Sequence, residues 1–459
     1  MTELLTARSA AAQALFAIRE RDAWSAPALK KYAAGLSARD AALATTLVNG
    51  VLQNRSMCDF YLAHFSKIRL KKIQPRVLDI LRLGVYQIIW LDRIPNAAAV
   101  NESVRLVRTL CHADKQTVGY ANGVLRAIVR NADQLPQPNC ATKAEYYALR
   151  YSHPLWLVER YLEQFGLQQT RLLLEADNQP APTMLRVNTL CADTQQVLAE
   201  LEQQGVRVQK HSMIPHCLMA SGTGSIEQLP AFAEGRVTVQ DGASQMSVYA
   251  LDPQPQSMVL DCCAAPGGKS FFIAEYMKNT GTVVSCDIFE HKLQKIREGA
   301  ERLGLTNIRA KLQDAAVFRP EWEEKFAYVL CDVPCSGMGI IRKKPEIRYK
   351  DEEALRRLPE IQRAILQNTC RYVKPGGTLV YSTCTLLQEE NENIVDWFLQ
   401  THPMFQREEF FLPVCEQPVN GCITLLPQVH DTDGFFVAKF RKMAYYKNRR
   451  KEDILENRL

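Results

Sequence analysis

The chain has 459 residues, more than one hydrophobic core usually serves, so two or three domains are expected. A composition that is 47% hydrophobic and 23% charged is that of a folded protein and excludes a disordered or fibrous one. The formal charge of +6 is uneven: residues 1–140 carry 19 Lys and Arg against 10 Asp and Glu, a surplus of +9, which leaves −3 on the rest.

A basic amino-terminal third on a near-neutral body fits a nucleic-acid-handling module joined to an enzyme, with a solvated basic surface as the plainer alternative. The 14 cysteines lack the paired spacing of a zinc site, and Glu3, Arg8 and Arg19 interrupt any secretory segment. A reducing, cytoplasmic setting with free thiols is the expectation. The most apolar run, Val85 to Leu91, is far too short to span a membrane.

From Leu5 to about Arg130 the apolar residues recur with helical spacing, as in Ser9 to Ile18, and a helical bundle is expected. Lys67, Arg69, Lys71 and Lys72, with Arg105, Arg108, Lys115, Arg126 and Arg130, supply its charge. Asn131 to Lys143, with Pro136 and Pro138, reads as a linker. Next come a helix over Tyr146 to Phe165, a strand over Met184 to Asn188, a helix around Gln195 to Gln204 and a strand at Val206 to Gln209, which together suggest a small α+β module. Arg186 and Asn188 read either as strand surface or as phosphate or base contacts.

Beyond Gly235 strands and helices alternate regularly. Strands are expected at Met258–Asp261, Thr282–Asp287, Ile308–Leu312, Phe326–Asp332, Thr378–Ser382 and Gly434–Phe440. Helices are expected at Lys269–Met277, His291–Leu303, Glu353–Tyr372 and Glu389–Leu399. Repeated β-α-β units predict a doubly wound, mainly parallel sheet, whose ligands sit at the carboxyl ends of its strands. The tail after Lys442, including Lys447 to Lys451, reads as solvated.

Three stretches carry chemistry. Asp261 to Ser270 joins the first of these strands to its helix, and its glycines let a ligand approach the backbone. Gly268-Lys269-Ser270 matches the end of a P-loop, but Cys263 stands where that motif needs its first glycine. The competing reading is a nucleoside cofactor, with Asp287 at the second strand's end holding ribose hydroxyls and Asp314 after the third near an adenine edge.

The other two stretches are Asp332-Val-Pro-Cys335 and Tyr381-Ser-Thr-Cys384, which bring two thiols and a carboxylate to one rim. Cys262, Cys263, Cys286 and Cys331 read as core. No histidine lies near either thiol motif, so no metal is expected. Two thiols beside an acid suit alkylation of a poor nucleophile such as carbon 5 of a pyrimidine. A thiolate added at carbon 6 makes the ring an enamine, a carboxylate at nitrogen 3 and the exocyclic amine stabilises the adduct, and loss of the carbon-5 proton then allows the thiol to leave.

At these residues the sequence resembles the RNA (cytosine-5)-methyltransferases that use S-adenosylmethionine. The matching segments are Cys263 to Lys269, Asp332 to Gly337 and Ser382 to Thr385, with Arg186-Val-Asn188 and Val239-Gln-Asp241 upstream. Pro95 to Glu102 and Tyr120 to Arg126 also resemble the helical RNA-binding bundle of the antitermination factor NusB. Together they point to the Sun/Fmu branch, which acts on small-subunit (16S) rRNA.

The resemblance implies a multidomain chain. A NusB-like all-α RNA-binding bundle would span residues 1–140 and a small α+β module, RRM- or ferredoxin-like, residues 141–234. A Rossmann-like α/β methyltransferase domain would span 235–441, and a charged tail 442–459. It implies S-adenosylmethionine bound by Cys263, Ala264, Ala265, Pro266, Gly267, Gly268 and Lys269, with Asp287 on its ribose, Asp314 on its adenine and Asp332 between cofactor and base. It assigns Cys384 as nucleophile and Cys335 to release of the methylated RNA. Lys67, Arg69, Lys71, Lys72, Arg186 and Asn188 are the expected RNA contacts, and the expected assembly is a monomer acting on rRNA without metal or membrane. Val333 departs from the family's usual alanine. A non-catalytic RNA-binding or ribosome-assembly factor on the same fold is the alternative.

Overall fold

The structure, a computed structural model, describes residues 5–444 and divides into two compact units. The segment expected from Lys447 to Lys451 lies outside the described residues. One unit comprises the chain up to Gln179 together with residues 341–350, and the other the remainder.

The helical unit contains α1 (Ala7–Arg21), α2 (Ser25–Tyr32), α3 (Ala38–Gln53), α4 (Arg55–Phe65), α5 (Pro75–Trp90), α6 (Asn96–Leu110), α7 (Lys115–Arg130), α8 (Lys143–Arg150) and α9 (Leu155–Asp177). Helix starts follow the sequence: Thr6 and Ser9 form a reciprocal cap on α1, as Thr142 and Glu145 do on α8. Ala10, Ala11, Ala12 and Ala14 are fully buried in α1, where small side chains let neighbouring helices approach closely. Inside this apolar bundle Arg82 is held by Asp79 at 2.9 Å and by Asp59 at 2.7 Å, so its charge is paired.

Residues 141–179 share one compact unit with the helices before them. The Pro-containing stretch after Arg130 is therefore a connection within one body, and α9 is broken at Gly166, where φ is 71°.

The second unit opens with β1 (Thr183–Val187), α10 (Thr194–Gln203), β2 (Arg207–Lys210), β3 (Cys217–Ser221), the single turn α11 (Pro230–Ala233) and β4 (Val237–Val239). These strands form an antiparallel sheet in the order β2-β3-β1-β4. After α12 (Gly242–Leu251) come β5 (Met258–Asp261), α13 (Gly268–Tyr276), β6 (Thr282–Asp287), α14 (Glu290–Arg302), β7 (Ile308–Leu312) and β8 (Phe326–Asp332). The expected helix over Glu353–Tyr372 is divided into α15 (Glu352–Leu355), α16 (Leu358–Thr369) and a 3-10 turn, and is followed by β9 (Val373–Thr383) and α17 (Glu392–Thr401).

The chain then adds β10 (Phe405–Arg407), β11 (Glu409–Phe410), β12 (Val419–Asn420), β13 (Cys422–Leu425), α18 (Pro427–His430) and β14 (Phe435–Lys442). β14 thus continues to Lys442, into the stretch expected as tail. The main sheet runs β10-β14-β9-β8-β5-β6-β7, parallel from β9 to β7, with β14 antiparallel and β13 paired to its other side. This is the Rossmann-like sheet expected. Its order reverses between β5 and β8, which opens a crevice beyond their carboxyl ends. No helix among the described residues is long and apolar enough to cross a membrane.

Candidate active site

The loop after β5 ends in Gly267, the N-cap of α13, at φ 113°. A side chain is excluded there twice over, by that backbone conformation and because a Cβ would lie 2.4 Å from the Phe271 ring. Bare backbone and a helix amino terminus therefore face the crevice. Beneath the loop, Asp261 is fully buried: its Oδ2 accepts from Ser270 Oγ at 2.7 Å, and Ser270 Oγ and Ser285 Oγ lie 2.7 Å apart. Its Oδ1 has no hydrogen-bond partner among the described residues. Burial pushes the carboxyl up to about 7 against the Ser270 hydrogen bond, and the Asp332 carboxylate adds to the rise.

Lys269 Nζ pairs with Asp332 Oδ2 at 2.7 Å. Burial alone would pull this ammonium down, but the carboxylate outweighs it and the net displacement is upward. The other Asp332 oxygen accepts from Ser382 Oγ at 2.8 Å, across the register in which Asp332 and Ser382 face each other. Asp332 therefore joins the start of α13 to the end of β9.

Two residues beyond Ser382 stands Cys384, whose sulfur lies 3.1 Å from that of Cys335; the Cys384 N–H also donates to Cys335 Sγ at 3.3 Å. The bond to Cys384, then burial, raises the Cys335 thiol well above its ordinary range, which keeps it protonated.

The loops bearing the two thiols are braced by groups that motif reading did not single out. Glu390 is almost fully buried; its Oε2 accepts from the Ser336 N–H at 2.9 Å and from Gln362 Nε2 at 2.8 Å, and Gln362 Nε2 also reaches Pro334 O at 3.0 Å. Ser336 Oγ meets Thr385 Oγ1 at 2.7 Å, and Asn391 accepts from Thr383 Oγ1 at 2.6 Å and donates to Thr385 O at 3.0 Å. Gly339 N–H donates to Cys384 O at 2.9 Å, and a Cβ on Gly339 would stand 2.1 Å from Gly434 O. Val333 is buried in the apolar core and donates its N–H to Ser382 O at 3.1 Å, so the departure from alanine leaves the polar groups of the loop in place.

Asp287 and Asp314 occupy the ends of β6 and β7. Asp287 is nearly buried, accepting from Phe289 N–H at 3.0 Å, whereas Asp314 is exposed and caps its own turn through Ala316 N–H at 2.9 Å. Between and beside them Ile288, Leu312 and Val317 are more than half exposed. Such an apolar strip flanked by acids fits the face and edge of a nucleoside. With the Gly267 backbone and the free oxygen of Asp261, the residues present fit an adenosine-bearing cationic cofactor. Cys262, Cys286 and Cys331 are core residues as expected, while Cys263 is half-buried at the loop. No group of three or more His, Cys, Asp and Glu among the described residues could hold a metal ion.

The expected RNA contacts separate into two sets. Lys67, Arg69, Lys71 and Lys72 are exposed around the short turn between α4 and α5. Arg186 and Asn188 face inward. Arg186 donates to Gln240 Oε1 at 2.7 Å, pairs with Glu275 on α13 and lies 4.6 Å from the Phe272 ring centre. Asn188 donates to Gly235 O at 3.0 Å and Leu303 O at 3.1 Å. Both side chains are 1% exposed, so neither can meet RNA, and the contact expected for them is replaced by a structural role. The strand's alternation hid this because both of its faces are covered.

Residues 248–441 match the family model described as 16S rRNA methyltransferase RsmB/F, residues 5–130 match the NusB family, and residues 153–227 match the ferredoxin-like domain of RsmF/B-like methyltransferases. The "probable ribosomal RNA small subunit methyltransferase B" of Bacillus subtilis (strain 168) is 38% identical over 448 residues, covering 95% of this chain and 98% of its own. The ribosomal RNA small subunit methyltransferase B of Klebsiella pneumoniae subsp. pneumoniae is 33% identical, covering 96% and 99%. The crystal structure of PH0851 superposes with a TM-score of 0.80 at 27% identity over 96% of this chain and all of its own.

Proposed function

The chain belongs to the RsmB/F family of 16S rRNA methyltransferases, and on that premise we propose that it methylates carbon 5 of a cytidine through a covalent adduct. The observation that carries the reading is the Cys335–Cys384 sulfur pair at 3.1 Å, beside an aspartate that is itself paired with Lys269. S-adenosylmethionine, when bound, supplies the electrophilic methyl group. It would be held by the backbone of Cys263 to Gly268, with Asp287 available to its ribose hydroxyls, Asp314 to its adenine edge and the exposed Ile288 and Val317 to its ring.

The steps assigned to this chain are few. The Cys384 thiolate adds to carbon 6 of the cytosine. Asp332, steadied by Lys269 and Ser382, hydrogen-bonds at nitrogen 3 and the exocyclic amine while the ring carries the extra electron pair. Once carbon 5 has taken the methyl group and lost its proton to a base, the carbon–sulfur bond breaks and Cys384 is free again. Cys335 enters here: a neutral thiol in contact with the nucleophile's sulfur can return a proton to it as it leaves. Lys67, Arg69, Lys71 and Lys72 hold rRNA phosphates.

RNA containing 5-fluorocytidine cannot complete the elimination and should form a denaturant-resistant adduct with the native chain. Cys384→Ala should form none, and Cys335→Ala should accumulate adducts with ordinary RNA. Trapping by Cys384→Ala would remove it as the nucleophile.

A further inference from the structure

We infer that Glu390 is a positioning residue for release of the methylated base, holding the Cys335 loop at the separation from Cys384 at which a proton can pass between the two sulfurs. This role rests on the covalent-adduct reading, and every residue involved belongs to one compact unit. Glu390 is 2% exposed, a depth at which an acid is uncommon unless its oxygens are bonded. Its bonds go to the stretch that carries Cys335. Oε2 accepts at 2.9 Å from the N–H of Ser336, one residue beyond the thiol, and at 2.8 Å from Gln362 Nε2 on α16. The same amide nitrogen donates at 3.0 Å to the carbonyl of Pro334, one residue before the thiol. Cys335 is thus gripped from both sides, and the Tyr381 hydroxyl ties Glu390 O to β9 at 2.6 Å.

The next residue grips the other thiol. Asn391 is fully buried, accepts from Thr383 Oγ1 at 2.6 Å and donates to Thr385 O at 3.0 Å, so it holds the residues on either side of Cys384. Two consecutive residues therefore anchor two thiol-bearing turns that are 49 positions apart in the chain, and their spacing carries into the 3.1 Å between the sulfurs. That separation matters to one step above the others. Addition to carbon 6 uses Cys384 and Asp332, whereas departure of the Cys384 sulfur uses a proton donor within reach, and a group displaced by about 1 Å can lose about 100-fold in rate. Cys384 and then burial raise the Cys335 thiol, and the Glu390 charge adds to the rise, so the donor keeps its proton until the sulfur leaves.

The test uses the full chain with S-adenosylmethionine and a small-subunit rRNA transcript, and it times two events separately. One is formation of the denaturant-resistant adduct on transcript carrying 5-fluorocytidine; the other is resolution of the adduct on ordinary transcript after an unlabelled chase. Glu390→Ala should form adduct at the native rate and resolve it about 10- to 100-fold more slowly, so that adducts with ordinary RNA accumulate. Gln362→Met, which removes the donor to Pro334 O and to Glu390 while leaving the acid in place, should show the same separation. Glu390→Gln keeps an oxygen for both donors and should recover most of the resolution rate. Native resolution by Glu390→Ala and Gln362→Met would overturn the inference. So would formation and resolution slowed in equal proportion, the mark of a brace that only keeps the fold, or a Glu390→Gln variant as slow as Glu390→Ala. If the native chain itself traps no 5-fluorocytidine transcript, the covalent reading fails and the release role fails with it.

Discussion

Asp261 ends β5 with one oxygen bonded to Ser270 and the other without a hydrogen-bond partner among the described residues, and its carboxyl is held up to about 7 against an ordinary aspartate near 3.9. Between those values the folded chain keeps a proton that the unfolded chain has released. The stability Asp261 contributes by holding that proton is complete below about pH 4 and is lost as pH rises through about 7. Asp261→Asn keeps an acceptor for Ser270 and removes the titration. Measured without cofactor, the variant should gain on the native chain as pH rises from 4 to 7, by up to about 4 kcal/mol, with the difference level above that. A difference independent of pH would show that Asp261 does not titrate in this range. Spacing located this aspartate at a strand end, but its protonation depends on burial and on Asp332, and neither is visible in a local motif.

Arg186 and Glu275 belong to different elements, β1 of the module and α13 of the catalytic sheet, and their pairing ties the two together. The motif Val239-Gln-Asp241 serves the same junction: Gln240 accepts from Arg186, while Asp241 caps α12 and accepts from Asp433 N–H at 3.1 Å. Removing one member of a buried pair leaves the other charge uncompensated, at a cost of about 3–5 kcal/mol. Arg186→Ala should lower the free energy of unfolding, measured by denaturant titration, by that much, and Arg186→Ala/Glu275→Ala should lose less than the two single changes added together. Strict additivity would show that the pair does not hold the junction. Strand and helix boundaries were largely readable here because alternation and capping are local, with β6, β7 and β8 at the expected residues. The short β10 to β13 were not foreseen, since two- to four-residue strands carry too few residues to show a period.

Over the whole chain the surplus of +9 on residues 1–140 is the long-range counterpart of the site's chemistry, because rRNA is a polyanion. Replacing Lys67, Arg69, Lys71 and Lys72 together with glutamine should flatten the salt dependence of rRNA affinity by about 3 in slope, at about 0.7 to 0.9 per phosphate contact. Turnover at saturating RNA should be unaffected, and an unchanged slope would place the RNA elsewhere. That charge surplus, the β-α-β rhythm and the strand-end motifs follow from the order of residues alone, because helix and strand periods and loop chemistry act over a few neighbouring positions. The meeting of Cys335 with Cys384, the burial of Arg186 and Asn188, and the bonding of Glu390 to Ser336 required the folded chain. Each depends on residues far apart in sequence being brought within a few ångströms, and strand order and packing, not local preference, put them there.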